Sequence, residues 1–453
     1  MHSIFKACDI RGLYGQELTE EKVRRVGAAV AVLLRRRGRE VRVLVGGDVR
    51  LSTPSLKAAL LEGLTGSGAA CVDLGTVPTP LFYFARRRLG VPAGVMVTAS
   101  HNAAPHNGLK LVLGELPVTG EELSELRALA AANCHEPAPG SVTSLSIEKD
   151  YSDFLLGAAD ELLPPEARRL RLVVDPGNGS WAGLAGRLLR DAGCQVGLLN
   201  DVADGRFPGR DPNPSVPTHL AGLGARVVAE GAALGIAFDG DGDRVAFADD
   251  RGRPVSSDAA AMLLVRALVP SEPGARVVHD IKCSQAVADE IRRCGGVPLM
   301  ERSGHTFIKT RVLVEGALFA PEASGHYFFR VLEGGDDGLY CALVLLGALA
   351  RAGQPLSTLV DALPRYATTP DIRVRYPGDP APLLERIAAA FPPDQVSRLD
   401  GVRVQFRDGW GLARPSVTEA ALTLRFEGRT EPARAAVQAA FLAPVPELAA
   451  LLP

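Results

Sequence analysis

One pattern recurs along this chain and constrains its fold more than any other feature. A short apolar, Val-rich run ends in Gly or Asp and is joined to a helix-patterned stretch. VRVLVGGD (41–48) leads into PSLKAALLEGL, and LRLVVDPGNGS (170–180) leads into AGLAGRLLRDAG. ALGIAFDGDGD (233–243) has its helical partner upstream, in HLAGLGARVVAEG, and ARVVHDIKCS (275–284) leads into QAVADEIRRCGG. Strands alternating with helices of this length predict βαβ units and a mostly parallel sheet in each domain. Ligands of such sheets bind at the carboxyl ends of the strands, so the polar residues that end these runs are expected to face a shared cleft.

The chain has 453 residues. At roughly 100–200 residues per domain, that predicts three or four domains. The expected division is 1–150, 151–255, 256–369 and 370–453. CHEPAPGSVTSLSIEKD (134–150) reads as a linker. The last unit, with VRVQF and ALTLRFEG around a Gly-rich turn, reads as a smaller α+β domain. A formal net charge of -2 favours neither a nucleic-acid nor a membrane partner. No run approaches the ~20 apolar residues of a membrane helix, and Tyr340 to Ala350 reads as a buried helix. The opening MHSIFKACDIRG lacks a signal-peptide pattern, which predicts a cytoplasmic location. Seven scattered cysteines, with no C-x-x-C pair, predict reduced thiols and no zinc site.

Four short constellations carry chemistry. Thr98-Ala99-Ser100-His101-Asn102 follows the apolar run AGVMV and continues to Asn107-Gly108-Leu109-Lys110. A serine just past a strand end is expected to be exposed on a loop, where His101 and Lys110 could support a phosphate on it. The surroundings are not the G-x-S-x-G of a hydrolase elbow. Asp239-Gly240-Asp241-Gly242-Asp243-Arg244 crowds three carboxylates into five residues, which costs Coulomb repulsion unless a cation neutralises it; the alternative is a solvated acidic turn. All-oxygen ligands suit Mg²⁺. An EF-hand is excluded, because loop positions six and twelve hold Arg244 and Asp250 instead of Gly and Glu. Glu322-Ala323-Ser324-Gly325-His326 could hydrogen-bond vicinal sugar hydroxyls. Arg414-Pro415-Ser416-Val417-Thr418 puts one guanidinium and two hydroxyls on a tight turn, a phosphate cradle.

Taken together and in order, these motifs resemble the α-D-phosphohexomutases, within them the bacterial phosphomannomutase/phosphoglucomutase branch. The resemblance runs nearly end to end. It is reinforced by Asp9-Ile10-Arg11-Gly12, Gly47-Asp48-Val49-Arg50, Lys282 in DIKCS, Gly304-His305 in SGHTFIK and Asp336-Asp337-Gly338. The departures are Cys8 where the branch often has Tyr, Pro321 and Ala323 in place of Gly and Met, and Val417 and Ala420 in place of Asn and Pro.

The resemblance implies four domains around a central cleft, three of them α/β with mixed sheets and the last a smaller α+β domain. It implies reversible conversion of hexose 1-phosphate to hexose 6-phosphate through phosphorylated Ser100 and a hexose 1,6-bisphosphate, which also serves as activator. Mg²⁺ would be held by Ser100, Asp239, Asp241 and Asp243. His101, Lys110, Arg244 and His326 would surround the reacting phosphate, with Lys110 and His326 as the candidates for proton transfer. Arg11, Lys282, His305, Glu322, Ser324, Arg414, Ser416 and Thr418 would bind substrate. Glu-Ala-Ser-Gly-His is nearer the mannose/glucose pattern than the glucosamine one, and nothing obvious reads C2, so both sugars are expected. The expected partner is a small-molecule sugar phosphate, and the chain is expected to be a monomer or homodimer. A metal-dependent sugar-phosphate phosphatase and a non-catalytic sugar-phosphate-binding homologue would share these residues.

Overall fold

A computed structural model describes residues 1–376, 378–415 and 421–452. The first unit holds β1 (Ile10–Leu13), β2 (Arg42–Gly47), β3 (Ala70–Thr76), β4 (Ala93–Val97), β5 (His106–Val112) and β6 (Ser141–Ser144). They form a six-stranded sheet in the order β1-β5-β4-β2-β3-β6. β4, β2, β3 and β6 are parallel, whereas β5 runs antiparallel to both β4 and β1. Gly47 lies opposite Val97 in the register. The loops that leave β2 and β4 therefore emerge side by side.

The second unit holds β7 (Arg171–Asp175), β8 (Gln195–Leu198), β9 (Leu234–Phe238), β10 (Val245–Asp249) and β11 (Pro254–Val255), in the order β11-β10-β9-β7-β8. The third holds β12 (Arg276–Asp280), β13 (Val297–Glu301), β14 (Phe319–Pro321), β15 (Tyr327–Phe329) and β16 (Gly335–Asp336), in the order β13-β12-β14-β15-β16. The fourth holds β17 (Ala367–Thr368), β18 (Ile372–Arg375), β19 (Val396–Ser397), β20 (Val402–Phe406), β21 (Gly409–Pro415) and β22 (Ala421–Gly428). Its sheet runs β17-β22-β21-β20-β19, with β18 also on β22. Residues 239–244 follow β9, Lys282 follows β12 and Glu322 follows β14, so these loops leave carboxyl strand ends.

The stretch 134–150 is not simply a linker. Ser141–Ser144 pairs in parallel with β3 as an edge strand, and the helix Glu148–Leu162 begins inside the stretch. All four residues of that strand are exposed, so no apolar alternation marks it in the sequence. The fourth sheet already begins at Ala367.

The first three units share one apolar core. It joins Leu44, Phe82 and Met96 of the first to Val174, Trp181 and Phe238 of the second and to Leu264, Phe319 and Leu343 of the third. The helix Gly338–Ala352, buried over most of its length, runs through this core. The fourth unit has its own core and meets the third through a small cluster of Ile281, Met300, Trp410 and Leu412. No helix among the described residues is long and apolar enough to cross a membrane.

Candidate active site

Loops from the first three units meet at one point. Ser100 Oγ donates to Asp239 Oδ2 at 2.7 Å, and His101 Nδ1 lies 3.3 Å from Ser100 Oγ. Ser100 is buried rather than exposed, which corrects the reading of an open loop. The reason lies in the second unit. Gly240 packs so closely that a Cβ there would stand 2.6 Å from the Ser100 carbonyl oxygen. Ser100 itself has φ 52, a left-handed conformation uncommon for a residue with a side chain.

The three aspartates of the 239–243 loop are buried, and one carboxylate oxygen of each lies within 4.8 Å of the others. Asp239 Oδ1 accepts the Gly242 and Arg244 amide hydrogens at 2.9 and 3.1 Å. Asp241 Oδ2 accepts from Lys110 Nζ and Thr79 Oγ1, both at 2.7 Å, and Lys110 also donates to Asp243. Burial and the neighbouring Asp241 and Asp243 charges push Asp239 well above the usual carboxylate range. Burial and Asp241 likewise push Asp243 up. Burial opposes the Asp241 charge too, but Lys110 and Thr79 outweigh it and hold that group low. Burial also opposes the Lys110 charge, and Asp241 and Asp243 hold it protonated. Asp241 Oδ1 and Asp243 Oδ1 are buried without a hydrogen-bond partner. Orphaned anionic oxygens in a crowded, all-oxygen cluster fit a hard divalent cation.

The third loop closes the other side. Arg244 Nε donates to His326 Nε2 at 2.8 Å, and His326 Nδ1 lies 2.6 Å from Asp336 Oδ2. A guanidinium can only donate, so Nε2 accepts and Nδ1 carries the proton donated to Asp336. Burial pushes His326 down to about 3, consistent with a neutral ring. Glu322 and Ser324 precede it in the same loop. Glu322 Oε2 and Ser324 Oγ are buried without partners, and burial and Asp280 push Glu322 up to about 7.

Four family models match this chain in order. "Phosphoglucomutase/phosphomannomutase, alpha/beta/alpha domain I" matches residues 2–134, domain II 149–252 and domain III 256–366, and the "C-terminal domain" matches 372–444. The chain is 37% identical to a phosphoglucomutase of Neisseria gonorrhoeae over 448 residues, 97% of this chain and 96% of that protein. The chain belongs to the phosphoglucomutase/phosphomannomutase family. It is 38% identical to a phosphomannomutase/phosphoglucomutase of Pseudomonas aeruginosa over 433 residues, 95% of this chain and 92% of that protein. A solved family structure from Burkholderia thailandensis superposes with a TM-score of 0.91 at 35% identity, covering 100% of this chain and 99% of that one.

In this phosphoglucomutase/phosphomannomutase-family chain, the remaining expected site residues fall in different places. Arg11 donates to Asp9 at 2.7 Å and to Asn102 Oδ1 at 2.8 Å, so it touches the serine loop directly. His305 opens the helix His305–Glu315, with its ring centroid 6.4 Å from that of His326 and its Nε2 buried without a partner. Lys282 Nζ donates to Asp371 of the fourth unit at 3.3 Å. Arg414 sits elsewhere. It pairs with Asp400 at 3.1 Å, beside Ser303, and no hydrogen bond or ion pair among the described residues joins it to the Ser100 cluster. Ser416 and Thr418 lie outside the described residues. Cys8 accepts from Thr306 Oγ1 at 3.0 Å, and burial pushes its thiol up to about 11.

Thr79 was not legible as a site residue. It opens the helix Thr79–Arg88, and both its amide and its hydroxyl bind Asp241. The only signal in the sequence is V-P-T-P, a helix start after a strand. Trp181 was missed as well. Its Nε1 donates to the Gly242 carbonyl at 2.9 Å and braces the aspartate loop.

Proposed function

We propose that the chain is a phosphohexomutase that interconverts hexose 1-phosphate and hexose 6-phosphate of glucose and mannose, with Ser100 as the phosphoryl carrier. The observation that carries this reading is the contact between Ser100 Oγ and Asp239, backed by the orphaned oxygens of Asp241 and Asp243. Phosphoryl transfer needs mainly positioning and charge neutralisation, and this junction supplies both. In the first half-reaction the Oγ–P bond breaks as a P–O bond to the free sugar hydroxyl forms, and the hydroxyl proton ends on Ser100 Oγ; in the second, the other sugar O–P bond breaks as Oγ–P re-forms, and the serine proton ends on the freed sugar oxygen. The bisphosphorylated sugar then turns and returns its other phosphoryl to Ser100.

Ser100, Asp239, Asp241 and Asp243 would hold Mg²⁺, which when bound neutralises charge on the transferring phosphoryl. Arg244 faces the same point, and His326 orients it: both ring nitrogens of His326 are engaged, so we assign it to positioning rather than to proton transfer. Lys110, bonded to Asp241 and Asp243, would be the cationic candidate for proton transfer. Glu322 and Ser324, with unpartnered buried oxygens, would grip the sugar hydroxyls. Arg11, Lys282 and His305 would line the approach, and Arg414 would hold the phosphate that is not reacting.

The test is a coupled isomerisation assay on glucose, mannose and glucosamine 1-phosphates with Mg²⁺ and a hexose 1,6-bisphosphate, beside the intact mass of the protein. Expected are isomer formation from glucose and mannose substrates and a phosphate on Ser100. Release of free phosphate without isomer would favour a phosphatase, and no turnover with no phosphate on Ser100 would sink the reading.

A further inference from the structure

Arg50 follows β2 and is fully buried, and among the described residues no hydrogen bond or ion pair joins it to Asp239, Asp241 or Asp243. All five of its N–H groups are used. Nε donates to Asp48 Oδ2 at 3.0 Å, Nη2 to the carbonyls of Ser100 at 2.7 Å and Asn102 at 2.5 Å, and Nη1 to those of Ala103 at 2.9 Å and His106 at 3.1 Å. One guanidinium therefore holds four carbonyls of the serine loop. Asp48 closes the circuit from the other side. Its Oδ2 accepts from Thr98 Oγ1 at 2.7 Å, and Thr98 Oγ1 accepts the Ser100 amide hydrogen at 2.9 Å. Both backbone polar groups of Ser100 are thus tied to one buried ion pair. The second unit seals it: the Phe207 ring lies 5.0 Å from the guanidinium carbon.

We infer that the Asp48–Arg50 pair is a positioning device for the phosphoryl carrier, holding Ser100 in its left-handed conformation so that Oγ points at the Asp239 loop. The inference rests on the mutase reading of Ser100. A left-handed residue with a side chain persists only where its surroundings over-determine it, and here the constraint is a planar fork that an ammonium cannot reproduce. Arg50 holds Ser100 only through its backbone carbonyl, and among the described residues no hydrogen bond or ion pair joins it to the three aspartates, so its loss acts on the geometry of transfer and not on substrate affinity.

The experiment compares Arg50→Lys and Asp48→Asn with wild type in three measurements: kcat and KM for glucose 1-phosphate, hydrogen exchange of the 100–107 amides, and a urea unfolding curve. Expected in both variants are a kcat about 10- to 100-fold lower, a KM within about threefold, and faster exchange confined to the serine loop. Wild-type kcat in a folded Arg50→Lys protein overturns the inference, as does a loss that appears in KM alone. If Arg50→Lys does not unfold cooperatively, Asp48→Asn decides by the same criteria. Failure of both to fold would make the pair a folding requirement and overturn the positioning role. An inactive wild type with slow 100–107 exchange in wild type and fast exchange in the variants would point to failure of the mutase reading instead.

Discussion

Adding a single methyl group at Gly240 tests whether the two loops must touch. Gly240 lies outside the left-handed region, so Gly240→Ala introduces no backbone strain. Its Cβ would stand 2.6 Å from the Ser100 carbonyl oxygen, 3.4 Å from Phe207 and 3.5 Å from Pro212. The first of these is a clash with backbone, which no side-chain rotation relieves. The loops must part by about 0.8 Å or more to restore ordinary van der Waals contact. That opening lengthens the 2.7 Å contact between Ser100 Oγ and Asp239. Overpacking of this kind costs about 1–3 kcal/mol of stability. A displacement near 1 Å at a reacting centre costs about 100-fold in rate, so we expect kcat to fall about 10- to 100-fold with KM little changed. The assay is coupled isomerisation of glucose 1-phosphate at saturating Mg²⁺ and bisphosphate. Urea unfolding of the same variant gives its stability. Gly157→Ala is the control: it lies exposed on the helix Glu148–Leu162 with nothing near its Cβ, and should gain about 1 kcal/mol with full activity. A Gly240→Ala enzyme with wild-type kcat would refute the reasoning, because the loop junction would then tolerate separation.

Asp241→Asn should weaken Mg²⁺ binding and slow turnover together, because it removes charge from a carboxylate with an orphaned oxygen; calorimetric titration beside kinetics checks this, and unchanged affinity would move the metal elsewhere. Arg414→Ala should weaken 1-phosphate and 6-phosphate sugars by similar factors of roughly ten to a hundred, the loss of one charge-assisted hydrogen bond, while phosphorylation of Ser100 survives. A large loss for one isomer alone would mean that the residue reads one end of the sugar. Glu322, raised by burial to about 7, contributes stability that is fully present below its unfolded value and is lost as pH rises through about 7. Relative to Glu322→Gln, wild type should therefore lose on the order of 2–3 kcal/mol between mildly acidic and neutral pH, read from urea curves at each pH. Parallel pH profiles for the two proteins would remove that assignment.

The features legible in the sequence are those that short-range chemistry controls. Val-rich runs ending in Gly or Asp declare strands, and Ser100, Asp239, Lys282 and Glu322 each follow the carboxyl end of a strand. Three carboxylates in five residues declare a cation site, because their mutual repulsion is the same in any fold that buries them. The edge strand Ser141–Ser144 escaped because its exposed residues carry no apolar pattern. What the tertiary structure alone decided is which loops meet. Ser100 reaches Asp239 across 139 residues of chain, Lys110 reaches Asp241 across 131, and Arg50 reaches the Ser100 carbonyl across 50. Those contacts depend on how three sheets dock around one shared core, and the docking is set by shape and volume summed over many side chains. No local period records it, so the burial of Ser100, the neutral tautomer of His326 and the clamp at Arg50 became visible only when the units were packed together.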